Sequence, residues 1–113
     1  MADCIFCGIV EGTVPSEKVY ENDKVLAFRD INPVAPVHVL IIPKKHIPSL
    51  LEAEEEPELM GEIIAAASKV AKELGLAEKG FRLVNNCGDH GLQTVYHIHF
   101  HLVGGRQLSW PPG

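Results

Sequence analysis

The spacing of apolar positions changes along the chain, and each change marks an element. Leu59, Ile63, Ala67, Val70 and Leu74 recur at intervals of four and three, which is one apolar stripe of an α-helix. Glu54, Glu55, Glu56 and Pro57 stand at its start. Carboxylates there meet the positive end of the helix dipole, and proline's missing N–H costs nothing. Gly75 stands at its end, since glycine takes the left-handed backbone of a helix stop without penalty. Elsewhere the spacing is closer to two. Lys18–Glu21, Val25–Asp30, His38–Ile42, Phe81–Asn85 and Val95–Val103 read as strands bounded by turn residues. Asn22-Asp23 turns between the first two. Asn32-Pro33 and Ala35-Pro36 force a non-helical connection before the third, because a residue preceding proline is pushed out of the α region. Asn86–Gly91 is a loop, and Ile5–Glu11 a short helical turn that stops at Gly12.

The long helix is the only long connection, between the third and fourth strands. Parallel pairing needs more crossovers than that. The expectation is therefore an α+β fold: a five-stranded antiparallel sheet with one long and one short helix. A chain of 113 residues suits one domain over 1–113. Such a domain buries about two-thirds of its unfolded surface, so dimerisation would add usefully to a modest core.

Composition narrows the partners. The formal charge is -5 and the only basic run is Lys44-Lys45, so nucleic acid is not expected. A small phosphate ligand remains compatible, because a local site can be positive on an acidic protein. No apolar run approaches the ~18 residues that span a bilayer, and MADCIFCGIVEG lacks the basic start and apolar stretch of a signal peptide. The expectation is a cytoplasmic chain that does not enter the membrane. An odd count of three cysteines speaks against a disulfide framework.

Two patterns carry chemistry. In Tyr96–Val103, strand alternation sets His97, His99 and His101 on one face, with Ile98, Phe100 and Leu102 on the other, toward the helix. Imidazoles titrate near neutrality, and a neutral imidazole attacks phosphorus without needing a separate base. Histidines two apart on a strand also suit a catalytic metal, which would make a metal-dependent hydrolase; a solvated polar face would leave them idle. The second pattern is Cys4-x-x-Cys7, a redox pair or half of a zinc site, or else two small buried hydrophobes. A redox pair ordinarily follows a strand, and only three residues precede Cys4. Cys87 is assigned no chemistry.

Residues 97–103 match His-φ-His-φ-His-φ-φ, the signature of the histidine-triad family. Phe28–Pro33, Ala35-Pro36 and His38 resemble that family's first nucleotide-binding segment, which Ile42–Ile47 continues. Asn86–Gly88 and Gly91–Val95 resemble its phosphate loop, and Gly104–Gly113 resembles the ending of the Hint branch. The resemblance covers nearly the whole chain. It implies hydrolysis at the α-phosphorus of purine nucleoside phosphoramidates or related adenylates. His99 would be the nucleophile, forming a nucleotidyl-histidine. It implies that His101 donates to the phosphate oxygens, with Thr94, Gln93 and Asn86 as further donors. Many Hint relatives carry serine where Thr94 stands; threonine keeps the hydroxyl and adds a methyl. Asp30 would accept the ribose hydroxyls; Phe6, Phe28 and Ile31 would sandwich the base; His38 would support the triad by hydrogen bonding. Zinc would be structural, held by Cys4, Cys7, His46 and His97. A homodimer would join two sheets into a larger one, and the tail around Trp110 would reach the partner's site. A dinucleoside polyphosphate hydrolase or nucleotidyl transferase, or a nucleotide-binding regulatory module with little turnover, are the rival readings.

Overall fold

Five antiparallel strands form one sheet in the order β1-β2-β3-β5-β4. The computed structural model describes residues 4–113; Met1–Asp3, which belong to the stretch read for a signal peptide and to the single-domain span 1–113, lie outside the described residues. Along the chain the elements are α1 (Ile5–Glu11), β1 (Lys18–Glu21), β2 (Val25–Arg29), β3 (Val37–Pro43), a 3-10 turn (Leu50–Glu55), α2 (Pro57–Glu73), β4 (Phe81–Asn85) and β5 (Phe100–Gly104). Among the described residues no helix is long and apolar enough to cross a membrane.

Alternation divides the sheet into two faces. Val25, Ala27, Val39, Ile41 and Leu102 pack with Ile63, Ala66, Ala67 and Val70 of α2. The alanines keep the helix surface low, so backbone and sheet approach closely. A fully buried side chain such as Ile63 contributes roughly 1.5–3 kcal/mol by leaving water. The opposite face carries Leu26, Phe28, Leu40 and Ile42, which pack with Phe6 and Ile9 of α1. Strand register sets Phe28 opposite Leu40, Leu40 opposite His101, and His101 opposite Val84. The row runs from an apolar floor under α1 to His101 on β5.

The boundaries depart from the sequence reading at two places that matter. The last strand begins at Phe100, not Val95, and residues 95–97 bend. Extending the β3–β5 pairing past Ile41–Phe100 would set Ile98 opposite Pro43, which has no N–H to give. Instead the Ile98 N–H donates to the Ile47 carbonyl at 2.7 Å. The alternation survives the loss of ladder: Ile98 still packs with Ile47 and Leu59 of α2, while His97 and His99 both lie against Phe6. Second, Glu54 and Glu55 belong to the 3-10 turn, and only Glu56 caps α2. The turn forms because Ser49 and Glu52 make a capping box: Ser49 Oγ accepts from Leu51 N at 3.1 Å and Glu52 Oε1 from Ser49 N at 3.0 Å.

Candidate active site and metal centre

Cys4 begins α1 by accepting the Cys7 N–H on its own sulfur, at 3.3 Å. That cap brings both thiols to one end of the helix. His46, just beyond β3, and His97, just before β5, meet them there. Cys4 Sγ lies 3.4 Å from His97 Nδ1, Cys7 Sγ 3.4 Å from His46 Nδ1, and the two Nδ1 atoms are 3.2 Å apart. All four ligating atoms fall within 4.8 Å of one another. The other nitrogen of His97 lies 2.8 Å from the Pro43 carbonyl, so Nε2 carries the proton and Nδ1 presents its lone pair to the cluster. An outer carbonyl that fixes the tautomer in this way is the usual support of a metal-binding histidine. Burial, with Cys4 beside it, pushes the Cys7 thiol up; burial and the neighbouring His46 and His99 push His97 down. Two sulfurs and two imidazoles drawn this close fit a tetrahedral divalent ion without an open position.

The rest of the triad turns elsewhere. His99 Nδ1 lies 2.8 Å from the His97 carbonyl and must donate to it. The proton of a neutral His99 therefore sits on Nδ1, and Nε2 is a free lone pair. Burial holds His99 below the usual imidazole range, against the opposing effects of that hydrogen bond and of Asp30, so the neutral form dominates. His101 is coupled to His38. The Val34 N–H donates to His38 Nδ1 at 3.1 Å, which leaves the His38 proton on Nε2, 2.9 Å from His101 Nδ1 and 3.3 Å from Asp30 Oδ2. His101 Nδ1 accepts, so its own proton is on Nε2. Burial, then His99 and His38, lower His101 to about 4. Backbone groups at two removes thus give neighbouring rings, 5.2 Å between centroids, opposite tautomers: one an acceptor or nucleophile, the other a donor.

Both face a cleft of about 250 Å³ whose lining includes Phe6, Phe28, Asp30, Ile31 and Thr94. Phe6 packs edge-on to Phe28 at 5.6 Å and to His99 at 5.0 Å; both phenylalanines are buried and floor the site while belonging to the core. Ile31, 90% exposed, stands at the rim. Asp30 uses Oδ1 to accept the Asn32 N–H at 2.8 Å and turns Oδ2 to His38. One expected phosphate donor is engaged elsewhere. Gln93 is buried, donates to the Pro48 and Val95 carbonyls at 2.8 and 3.0 Å, and accepts from Gly88 N at 3.1 Å. Both of its donor hydrogens are spent bracing the loop, so it has none for a ligand. Asn86 is half-buried. A residue the sequence did not single out takes a part instead: Asn85 Nδ2 donates to the His99 carbonyl at 2.9 Å, supplying the partner that the ladder, starting one residue later, does not. Trp110 is 80% exposed, with the Arg82 guanidinium over its ring at 5.9 Å from the centroid.

The triad also divides between the two sites. Among the described residues, the groups able to share a metal are the Cys4, Cys7, His46, His97 cluster and the set Asp30, His38 and His101; the three triad rings do not converge on one ion.

The chain is 54% identical over 114 residues to a 14 kDa zinc-binding protein of Brassica juncea, covering 98% of this chain and 100% of that one. It is 54% identical over 112 residues to a protein of Arabidopsis thaliana named adenylylsulfatase HINT1, covering 96% of this chain and 76% of that one. The crystal structure of a HIT family hydrolase from Legionella pneumophila superposes with a TM-score of 0.96 at 51% identity, over 98% of this chain and 100% of that chain. The HIT domain model matches residues 11–108, and the chain belongs to the histidine-triad (HIT) family.

Proposed function

We propose that this hydrolase acts on purine nucleotides joined through their α-phosphorus to an amine or an acid, with His99 as nucleophile. The observation that carries the reading is the pair of fixed tautomers: a buried neutral His99 with Nε2 unshared, beside a neutral His101 with a proton on Nε2. His99 Nε2 bonds to phosphorus while the P–N or P–O bond to the leaving group breaks. A departing nitrogen takes up a proton from solvent at the open mouth of the cleft. The oxygen of a water then bonds to phosphorus as the N–P bond breaks, its electron pair returning to His99 Nε2 and the water's proton going to solvent, and the nucleoside monophosphate is released. His101 donates from Nε2 to the non-bridging oxygens, and Thr94 adds its hydroxyl; both stabilise charge as it redistributes. Phe6, Phe28 and Ile31 hold the base, and Asp30 the ribose. The Arabidopsis relative's name supports adenylyl compounds as the substrate class.

The Cys4, Cys7, His46 and His97 site holds zinc in this reading, supported by its sulfur–nitrogen donor set and by the name of the Brassica relative. Bound there, zinc supplies a cross-link between three segments and no step of the reaction. The assembly is a homodimer joined along β4, one of the two open edges of the sheet.

The test is a quenched reaction on adenosine 5′-phosphoramidate analysed by mass spectrometry. An adenylyl group on the peptide carrying His99 is expected. The His99→Ala protein should lose turnover by on the order of a thousandfold and still bind AMP. Turnover that survives in His99→Ala would remove the mechanism.

A further inference from the structure

His99 stands one residue outside the sheet. Pairing on both sides of β5 begins at Phe100, opposite Ile41 of β3 and Asn85 of β4, so neither ladder reaches it. Two other hydrogen bonds hold it instead. Its ring donates from Nδ1 to the His97 carbonyl at 2.8 Å. Its own carbonyl accepts from Asn85 Nδ2 at 2.9 Å, the amide reaching past the terminal pair of the ladder.

That second bond has a consequence for Asn85. A carbonyl oxygen only accepts, so the amide can face it only with its nitrogen. Asn85 Oδ1 is thereby turned away; it is buried and, among the described residues, has no hydrogen-bond partner. An orphaned buried acceptor costs stability. A leucine of similar volume would remove it and leave the His99 carbonyl unpaired in its place. One unpaired acceptor remains in either case, so folding alone does not favour the asparagine. What the asparagine changes is which group is fixed: with it, the peptide following His99 is held, and a polar atom remote from the ring goes without a partner. A buried polar group left unsatisfied in this way calls for a reason, and the residue it steadies supplies one. Rotation of that peptide would swing the imidazole, and a displacement of about 1 Å in a reacting group can cost a hundredfold in rate.

Resting on the reading proposed above, we infer that Asn85 is a positioning residue for the reaction: its amide fixes the His99 peptide, and through it the line along which Nε2 approaches phosphorus. It acts through His99 and not on the substrate. The experiment compares the wild type with Asn85→Leu, which removes the donor, and Asn85→Asp, which keeps the shape but at neutral pH can only accept. Single-turnover quenching on saturating adenosine 5′-phosphoramidate reads the rate constant for adenylylation of His99, a quantity independent of the fraction of protein folded. Titration with AMP reads binding. Both variants are expected to slow adenylylation by about ten- to a hundredfold, with AMP affinity retained within about twofold and the melting temperature of Asn85→Leu within about 5 °C of the wild type. A merely structural role gives the reverse split, a lowered melting temperature with an unchanged rate constant in the protein that remains folded. That result, or a rate constant within about twofold of the wild type in both variants, overturns the inference alone. Absence of adenylyl transfer to His99 in the wild type overturns the mechanism proposed above and this inference with it.

Discussion

At the scale of single residues, function turns on which nitrogen holds each proton. The His101 ring is neutral down to about 4, whereas in the unfolded chain it protonates near the ordinary imidazole value of 6.5. Between those values the unfolded state binds more protons than the folded one, so stability falls as pH falls through this window and this contribution is flat below it. The groups facing His101 are His38, His99 and Asp30; only Asp30 favours the protonated ring. Because His101 is only half-buried, the effect is discounted to about 1–2 kcal/mol. Thermal melts of wild type and His101→Asn between pH 6.5 and 4 should show the shallower slope in the variant. Equal slopes would mean that His101 titrates alike in both states. The triad's alternation was legible because period two survives even where ladder pairing is lost. The tautomers were not, since they depend on the Val34 N–H, the His97 carbonyl and the Pro43 carbonyl, none of which has a side-chain signature. Gln93 shows the reverse error: a polar residue in a phosphate-type loop reads as a ligand donor, and only tertiary neighbours reveal that its amide closes the loop on Pro48.

At the scale of elements, α1 joins the two sites. It is seven residues long, too short to persist alone in water, and its start is the pair of thiols while its inner face, Phe6, rests on His97 and His99. Its span, Ile5–Glu11, and its stop at Gly12 were readable in the sequence; its position across the sheet from α2 was not, because short apolar runs do not say which face they cover. Metal bound at its N-terminus would fasten it to the ends of β3 and β5. Removing metal with a chelator, or replacing Cys7→Ser, is therefore expected to lower the melting temperature by on the order of 10 °C and to weaken AMP binding, as Phe6 leaves the cleft. Metal analysis of the purified protein should give one zinc per chain. A protein that contains no zinc, or melts unchanged after chelation, would show α1 to be held by Phe6 and Ile9 alone.

At the scale of the molecule, the sheet has unequal edges. β1 is four residues long with a register irregularity near Lys18 and Tyr20, features that blunt an edge against further pairing. β4 is regular in its pairing to β5, and Phe81 at its start is 43% exposed, followed by half-buried Arg82, Leu83 and Val84. A regular, partly apolar edge is a template for another strand, and a second copy presents the same one, as a two-fold axis requires. Sedimentation at micromolar concentration should give twice the 12.4 kDa of one chain. Val84→Lys would set like charges near the axis, so that variant is expected to sediment as a monomer. Melting should also lose its dependence on protein concentration in the variant, because that dependence comes from association coupled to folding. A wild-type monomer at these concentrations would leave β4 an unpaired edge and confine the nucleotide site to residues of a single chain.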